Sequence, residues 1–438
     1  MTKFTERALL AAILIAYLVL AAGYALRVPA WLAPDEPAHY HYIAQVAQSG
    51  CCPVIEAGDW DQAVLSALTA SDFAPESLDR FDSLQYEDHQ PPLYYLLASP
   101  VFHLTGGSLA ALRLFTALIG AGVVIAAYAV GRALLPDQPQ IALGAAALVA
   151  FVPQHVHILA SVNNDALAEL VVGWALWAGV RHLKSGSPSP WLLGVLVGIG
   201  LLTKVSTLFL VGLIPLAILL RQGRSGGLRR AFTALALFAV PALLLGGVWW
   251  MRNVGVYGFP DLFGLRAHDA VVIGQPRTAD LIARVGIGEY LRQIVTTTFQ
   301  SFWGQFGWME LALPAWAYGL IGAFLALALI GLAVLILRRR RTWRQTPRET
   351  VLAWAGMGAA LLLALAQFAY YNLSFQQFQG RYLYPGLIPL ALFAAAGIDA
   401  LRGQWAARAP VWLTPALIGW LAALTLFLLW RVVPGLAG

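Results

Sequence analysis

The chain has 438 residues, of which 59% are hydrophobic and only 11% are charged. Soluble domains carry about 25% charged residues, so this composition excludes a soluble globular protein and indicates a multi-pass membrane protein. The net charge of +6 does not indicate a nucleic-acid partner, because the arginines lie in short segments between apolar runs, as membrane topology requires.

Apolar runs of about 20 residues, the length that crosses a bilayer as a helix, predict the path of the chain. The first such runs are residues 8–26, 108–130, 141–160 and 166–180. The stretch 191–220 is too long for one crossing and is interrupted by Lys204, so two short helices are predicted there. The remaining runs are residues 231–250, 315–337, 351–371, 382–401 and 411–433.

These runs predict an all-α bundle of about eleven transmembrane helices, forming one transmembrane domain over residues 1–438. No small-residue cleavage site follows the first run, so we expect a retained helix rather than a signal peptide. Assigning the arginine-rich segments, including 338–348, to the cytoplasm places the two long loops, 27–107 and 252–314, outside. Residues 93–104 are too short to cross, and we expect a juxtamembrane helix on the outer face.

The two cysteines, Cys51 and Cys52, are adjacent in the first outer loop, so they cannot form long-range staples. A vicinal disulfide, pairing between chains and the reduced state all remain open. No spacing of histidine or aspartate around them indicates a nucleophile or a zinc site.

Asp35 and Glu36 lie a few residues after the first predicted span, where acidic groups are costly to hold near lipid. A carboxylate at the membrane edge can serve as a general base if it reaches an acceptor hydroxyl. Asp35 is the predicted base, and Glu36 is expected to support it. The alternative is that Asp35 caps a helix that begins near Pro37.

A second polar segment, residues 86–90, precedes Pro91 and Pro92, which fix an extended entry into the short helix. Glu87 and His89 can position an acceptor or a sugar hydroxyl from there. An interfacial helix with aromatic anchors would explain the same segment without a ligand.

Three further segments carry charge at the predicted outer ends of spans. Asn164 and Asp165 offer groups that suit sugar hydroxyls, although a helix hairpin with Asp165 as its N-cap is the simpler interpretation. Lys204 and Arg381 can together hold a phosphate, the arginine through its planar fork. Snorkelling towards lipid headgroups is the alternative for both cations.

The predicted topology collects charges of both signs on the outer face, from five separate loops or helix ends. They are Asp35, Glu36, His39, Glu87, Asp88, His89, Asp165, Lys204, Arg252 and Arg381. The sequence has no phosphate-binding P-loop, Rossmann glycine pattern, HExxH or GxSxG motif. A nucleotide-driven machine, a zinc protease and a serine hydrolase of those types therefore gain no support.

Five motifs in order resemble the GT-C superfamily of integral membrane glycosyltransferases, in the branch of protein O-mannosyltransferases and the lipid A aminoarabinose transferase. The resemblance covers the first ten spans. It rests on Pro34-Asp-Glu-Pro-Ala-His39, His89-Gln-Pro-Pro-Leu-Tyr-Tyr95, Asn163-Asn-Asp165, Leu202-Thr-Lys204 and Gln379-Gly-Arg-Tyr-Leu-Tyr-Pro385. Better-known branches add a soluble domain or a longer C-terminal bundle, which this sequence lacks. The resemblance therefore does not identify the acceptor.

The resemblance implies a GT-C-like bundle that performs an inverting sugar transfer from a polyprenyl-phosphate donor on the outer face. It implies Asp35 as base, Asp165 as a second acid, and Lys204 and Arg381 on the donor phosphate. The expected catalytic residues are thus Asp35, Glu36 and Asp165. The expected substrate-binding residues are His39, Glu87, His89, Asn164, Lys204, Arg252, Arg381 and Tyr382.

We therefore expect a glycosyltransferase of the plasma (inner) membrane, with a lipid, glycan or protein acceptor. No cofactor is required, and the sequence shows no ligand cluster that demands a divalent metal. A transporter or flippase of a lipid-linked saccharide is the alternative. It predicts charges along a trans-bilayer path and, in many folds, a sequence repeat. Here the ionisable groups lie at the ends of the spans, and no repeat is evident between the two halves. A non-catalytic scaffold of the cell envelope is the third hypothesis.

Overall fold

The computed structural model describes residues 1–222, 227–340, 345–405 and 413–431. Its first half forms α1 (Lys3–Arg27), α2 (Glu36–Ser49), α3 (Gln62–Ala70), α4 (Leu93–Thr105), α5 (Leu109–Leu134), α6 (Pro139–Phe151), α7 (Pro153–Leu159), α8 (Asp165–Ser185) and α9 (Pro190–Leu201). Its second half forms α10 (Leu210–Gln222), α11 (Gly227–Tyr257), α12 (Leu265–Val271), α13 (Thr278–Val285), α14 (Ile287–Trp303), α15 (Ala315–Arg339), α16 (Arg348–Tyr371), α17 (Leu387–Trp405) and α18 (Leu413–Arg431).

Short elements complete the described chain. Three 3₁₀ helices cover Pro75–Ser83, Val205–Thr207 and Gly380–Gly386. The strands β1 (Gln305–Phe306) and β2 (Leu311–Ala312) form a small antiparallel hairpin in the second long loop. The chain is thus an all-α polytopic membrane protein, as predicted.

Within the described residues, seven helices are long and apolar enough to cross a membrane. They are α1, α5, α11, α15, α16, and α10 and α17 with their preceding 3₁₀ turns. The helices α6 and α7 make an eighth crossing if they count as one span, which is bent by 68°. The 25-residue α1 is about 37 Å long, more than the hydrocarbon core of a bilayer needs.

The other three predicted crossings are also helical. They coincide with α8, which carries four charged residues, and with the shorter apolar segments of α9 and α18. The turn predicted at Lys204 separates α9 from α10, and α4 is a 13-residue helix where a juxtamembrane helix was expected. Residues 341–344 of the arginine-rich segment, Arg408 and both ends of the run 411–433 lie outside the described residues.

The centre of the bundle is α6, in which residues 141–151 are all buried. It packs against α1, α5, α17 and α18. Its small alanine and glycine side chains let the neighbouring backbones approach closely, as membrane helix interfaces require. At Gly131 of α5, for example, a Cβ atom would collide with the backbone of Ala142.

The loops that precede and follow the spans are packed rather than extended. Trp60 Nε1 donates to Ile273 O at 2.8 Å, which joins the first long loop to the second. The amide of Thr278 donates to Ser374 O at 3.2 Å, which joins the second loop to the segment before Arg381. Cys51 and Cys52 form a disulfide. The two loops therefore form one cap over the same end of the bundle.

Candidate functional site

Asp35 lies at the start of α2 with a left-handed backbone, φ 65° and ψ 0°. This conformation is uncommon for a residue other than glycine, and such outliers concentrate at functional sites. Asp35 occupies the N-cap position, but its side chain makes no capping hydrogen bond. It instead accepts from Tyr86 Oη at 2.9 Å and from Arg381 Nη2. The capping explanation therefore does not account for this carboxylate.

Asp165, at the start of α8, stands between two cations. Lys204 Nζ donates to Asp165 Oδ1 at 2.5 Å, and Arg381 Nη1 lies 3.8 Å from Asp165 Oδ2. Because Arg381 also contacts Asp35, one guanidinium links the two acids. The structure thus places Asp35, Asp165, Lys204 and Arg381 in one continuous cluster, here called the ionic cluster.

Local structure fixes Arg381 with little freedom. Gly380, just before it, packs so closely on α14 that a Cβ atom would overlap the backbone of Phe302. The Gly380 amide donates to Ser301 Oγ at 2.8 Å, and Arg381 Nε donates to Gln379 Oε1 at 2.7 Å. The Gln-Gly-Arg sequence therefore docks the guanidinium at the end of the bundle.

The acids near the cluster differ in their proton affinity. Burial alone would raise the pKa of Asp35, but the charges of Arg381 and His39 and the hydrogen bonds from Arg381 and Tyr86 hold that pKa below its usual value. Burial raises the pKa of Glu87, and the charge of Asp35 adds to the increase. The lowered pKa of Asp35 favours its ionised form, the state that a general base needs.

Glu36 faces away from the ionic cluster into the protein, and its side chain is fully buried. Its carboxylate accepts from Arg113 Nε at 2.8 Å and Nη2 at 2.5 Å, from Trp31 N at 3.2 Å and from Val162 N at 3.0 Å. Arg113 also donates to carbonyl oxygens at the end of α1. This geometry favours an anchoring role for Glu36 over the predicted catalytic one.

Three predicted polar residues surround the ionic cluster. His39 Nδ1 lies 2.9 Å from Tyr95 Oη, and burial lowers the pKa of His39. Asn164 Nδ2 is 3.4 Å from Gln90 Oε1. Among the described residues, Glu87 Oε2, Asn164 Oδ1 and Asp165 Oδ2 are buried without a hydrogen-bond partner. These oxygen atoms are free to accept from a ligand.

His89 stands beside a residue that the sequence did not single out, His268 of α12. Their ring centroids are 4.4 Å apart. Burial lowers the pKa of His89 to about 4 and that of His268 to about 3, so both rings are neutral at physiological pH. A lone histidine in a loop gives no sequence signal, and only the folding of the second loop brings His268 here.

Arg252 belongs to a neighbouring group rather than to the ionic cluster. Its Nη2 donates to the carbonyl oxygens of Cys52 and Pro53, and its guanidinium lies 4.7 Å from the Trp249 ring centroid. Tyr382 lies beside the ionic cluster, with its ring centroid 5.3 Å from the Arg381 guanidinium. Within the described part of the chain, no group of three or more histidine, cysteine, aspartate or glutamate residues is arranged to hold a metal ion.

Comparisons with known proteins concern the family and the fold of the chain. The family model described as dolichyl-phosphate-mannose-protein mannosyltransferase matches residues 89–250, which include Asp165 and Lys204 but neither Asp35 nor Arg381. Among curated protein sequences, none matches the chain significantly.

Solved structures match over the whole chain. ArnT from Cupriavidus metallidurans bound to undecaprenyl phosphate is 17% identical, with a TM-score of 0.51 over 100% of this chain and 74% of that one. The same protein in the apo state gives 17% identity and a TM-score of 0.54 over 98% of this chain and 73% of that one. The predicted resemblance to the GT-C superfamily is thus confirmed at the level of the fold.

Proposed function

We propose that this chain, a multi-pass membrane protein with the GT-C fold, is an inverting glycosyltransferase that uses a polyprenyl-phosphate sugar. The observation that carries the proposal is the ionic cluster, in which an ionised aspartate and two cations converge at one end of an apolar bundle. Charges of both signs beside a membrane normally mark a substrate site. The acceptor is a lipid, a glycan or a protein.

Lys204 and Arg381 are the proposed phosphate ligands. Both now donate to carboxylates, Lys204 to Asp165 and Arg381 to Asp35. A phosphodiester offers the same kind of acceptor oxygen, and an arginine fork fits it with two parallel hydrogen bonds. A bound donor would take over part of this hydrogen bonding and so release Asp35 for the acceptor. Lys204 and Arg381 also stabilise the charge that builds up on the leaving phosphate.

Asp35 is the proposed general base. It removes the proton from an acceptor hydroxyl while the acceptor oxygen bonds to the anomeric carbon. The bond from that carbon to the phosphate oxygen breaks, and its electron pair leaves with the polyprenyl phosphate. A single displacement of this kind inverts the anomeric configuration. The Asp35 side chain is 21% exposed, so an acceptor can reach it.

The other predicted residues take supporting positions in this mechanism. Asp165 orients both cations, and His39, Glu87, Asn164 and Tyr382 line the space where sugar hydroxyls would be held. Glu36 fixes the backbone beside Asp35 through Arg113. His89 lies at the margin of the cluster, and Arg252 lies outside it.

The comparisons support the donor class. The matching family is named for a dolichyl-phosphate mannose donor, and one matching structure holds undecaprenyl phosphate. Both lipids are polyprenyl phosphates. The distribution of arginines supports a site on the extracytoplasmic face of the plasma (inner) membrane. No cofactor is needed for this displacement.

Native mass spectrometry of the purified protein tests the donor assignment. We expect a co-purifying polyprenyl phosphate or its sugar conjugate, displaced by added polyprenyl phosphate. The double variant Lys204→Met and Arg381→Met should lose this adduct, and thermal unfolding checks its fold because Asp35 and Asp165 lose their counter-ions. An equal adduct on both proteins would contradict the assignment of Lys204 and Arg381 as phosphate ligands. A flippase would bind the same lipid, but it would return the donor intact rather than cleaved.

A further inference from the structure

A proline breaks the central span where α7 packs against α8 and the Arg381 segment. Pro153 starts α7, and the chain bends by 68° between α6 and α7. In a continuous helix the amide of residue 153 would donate to the carbonyl of Val149, but proline has no N–H group. That carbonyl is buried in the centre of the bundle, where an unpaired polar group is costly.

His155 replaces the missing donor. Its Nδ1 lies 2.7 Å from Val149 O, and its Nε2 lies 2.7 Å from Glu169 Oε2. The His155 side chain is completely buried, and that of Glu169 is 5% exposed. One imidazole therefore bridges the broken span and α8.

The chemistry of these contacts fixes the number of protons. A carbonyl oxygen only accepts hydrogen bonds, so Nδ1 must carry a hydrogen. The contact between Nε2 and Oε2 then needs one more, which belongs to either an imidazolium or a carboxylic acid. In both forms the pair is neutral overall. It can thus remain buried without the cost of an isolated charge.

The same pair contacts two elements that carry members of the ionic cluster. Glu169 lies one helical turn after Asp165 on α8. The His155 ring also packs edge-on against Tyr384, with centroids 4.9 Å apart. Tyr384 follows Arg381 in the same 3₁₀ helix and donates to Phe302 O at 2.8 Å. The pair therefore lies where α6, α8 and the Arg381 segment meet.

We propose that His155 and Glu169 form a neutral clamp that positions Asp165 relative to Arg381 and so sets the geometry of the ionic cluster. This inference rests on the proposed function for its effect on turnover, but its structural effect can be measured without activity. His155 and Glu169 are positioning residues, because neither is placed to touch the donor.

Two substitutions at one position test the clamp. Glu169→Gln retains an amide that can donate to a neutral His155 Nε2, whereas Glu169→Leu removes the hydrogen bond. The matched control is Thr425→Val. Thr425 Oγ1 of α18 donates to Phe151 O at 2.8 Å, next to the same break but without a contact to Glu169. All variants are studied as the full chain in lipid nanodiscs.

The first measurement is hydrogen–deuterium exchange of residues 161–168. Their amides include Val162 N, bonded to Glu36, and Asp165 N, bonded to Asn163 Oδ1. For Glu169→Leu we expect exchange about tenfold faster or more, the size of one lost hydrogen bond to a charged group. Glu169→Gln and Thr425→Val should exchange like the wild type.

The second measurement is sugar transfer. For Glu169→Leu we expect kcat to fall about tenfold to 100-fold with donor KM nearly unchanged, and Glu169→Gln should stay within about threefold of wild type. Unchanged exchange in Glu169→Leu overturns the clamp. So does a loss of turnover in Glu169→Gln with normal exchange, because the proton itself would then be needed. If the wild type transfers no sugar, the proposed function fails while the exchange result still decides the clamp.

Discussion

Two ion pairs built on neighbouring residues behave differently. Asp35 pairs with Arg381, and its side chain keeps 21% of its surface exposed. Glu36 pairs with Arg113 and is completely buried, with four N–H groups directed at its two oxygens. The arginine of the first pair is shared with Asp165, whereas Arg113 also donates to main-chain carbonyls of Ala25 and Val28 at the end of α1.

This difference indicates that the number of hydrogen bonds already made separates the two proposed roles better than residue type does. The Glu36 pair has no capacity left for a ligand, and it ties the end of α1 to the loop before Asp165. In the proposed mechanism, Asp35 and Arg381 exchange this contact for contacts with substrate oxygens. A buried ion pair with every hydrogen-bonding position filled thus lies beside the ion pair that we propose to bind substrate.

The largest expected effect is on the saturated pair. Arg113→Leu leaves the Glu36 charge buried and alone, so the protein should lose about 3–5 kcal/mol of stability. Thermal unfolding of the purified protein measures this loss. The double variant Glu36→Leu and Arg113→Leu is the control, because it removes both charges and should recover much of the stability. A single variant as stable as wild type would show that the pair does not anchor the fold.

The next effect concerns the exchangeable pair. Lys204→Met or Arg381→Gln should weaken donor binding by about 1.5–3 kcal/mol, or roughly tenfold to 100-fold, because each removes a charged hydrogen-bond donor to phosphate. Titration with polyprenyl phosphate in nanodiscs measures the affinity. Arg252→Gln is the comparison, since its guanidinium is already held by the Cys52 and Pro53 carbonyls. An equal loss of affinity in Arg252→Gln would show that the phosphate does not bind at the ionic cluster alone.

A smaller effect is expected at Tyr86, whose hydroxyl donates to Asp35 Oδ1 at 2.9 Å. This hydrogen bond contributes to the lowered pKa of Asp35, so Tyr86→Phe should raise that pKa. A base is active only when ionised, so the rate falls as pH drops through its pKa. The acid limb of the kcat/KM profile should therefore move to higher pH, with a loss of a few-fold near neutrality at most. An acid limb that stays at the same pH would show that Asp35 is not the base whose titration limits the rate.

Sequence patterns predict the fold well because membrane helices must be long and apolar. The turn at Lys204 was predictable, since a charge inside an apolar run has to reach a polar environment. The bend at Pro153 was not, because an apolar run containing proline still has the hydropathy of a span. At this bend the carbonyl of Val149 loses its helical donor and is paired by His155 instead. The other partner of His155, Glu169, lies on another helix.

The candidate site was predictable in its members but not in its pairing. The motifs identified Asp35, Asp165, Lys204 and Arg381 separately, and the structure shows that the cations already hold the acids. Arg113 was missed because it sits inside a predicted span with no motif around it. Its partner Glu36 is 77 residues away, and only tertiary packing shows that the two meet.

Sugar transfer by wild type and Asp35→Asn tests the central claim most directly. The purified proteins are given a polyprenyl-phosphate donor with a labelled sugar and an extract of native membranes, and the label leaving the donor is followed. We expect covalent transfer by the wild type, and a rate about 10²- to 10⁴-fold lower for Asp35→Asn at unchanged stability. Equal rates for the two proteins, or a donor that crosses the membrane uncleaved, would contradict the account.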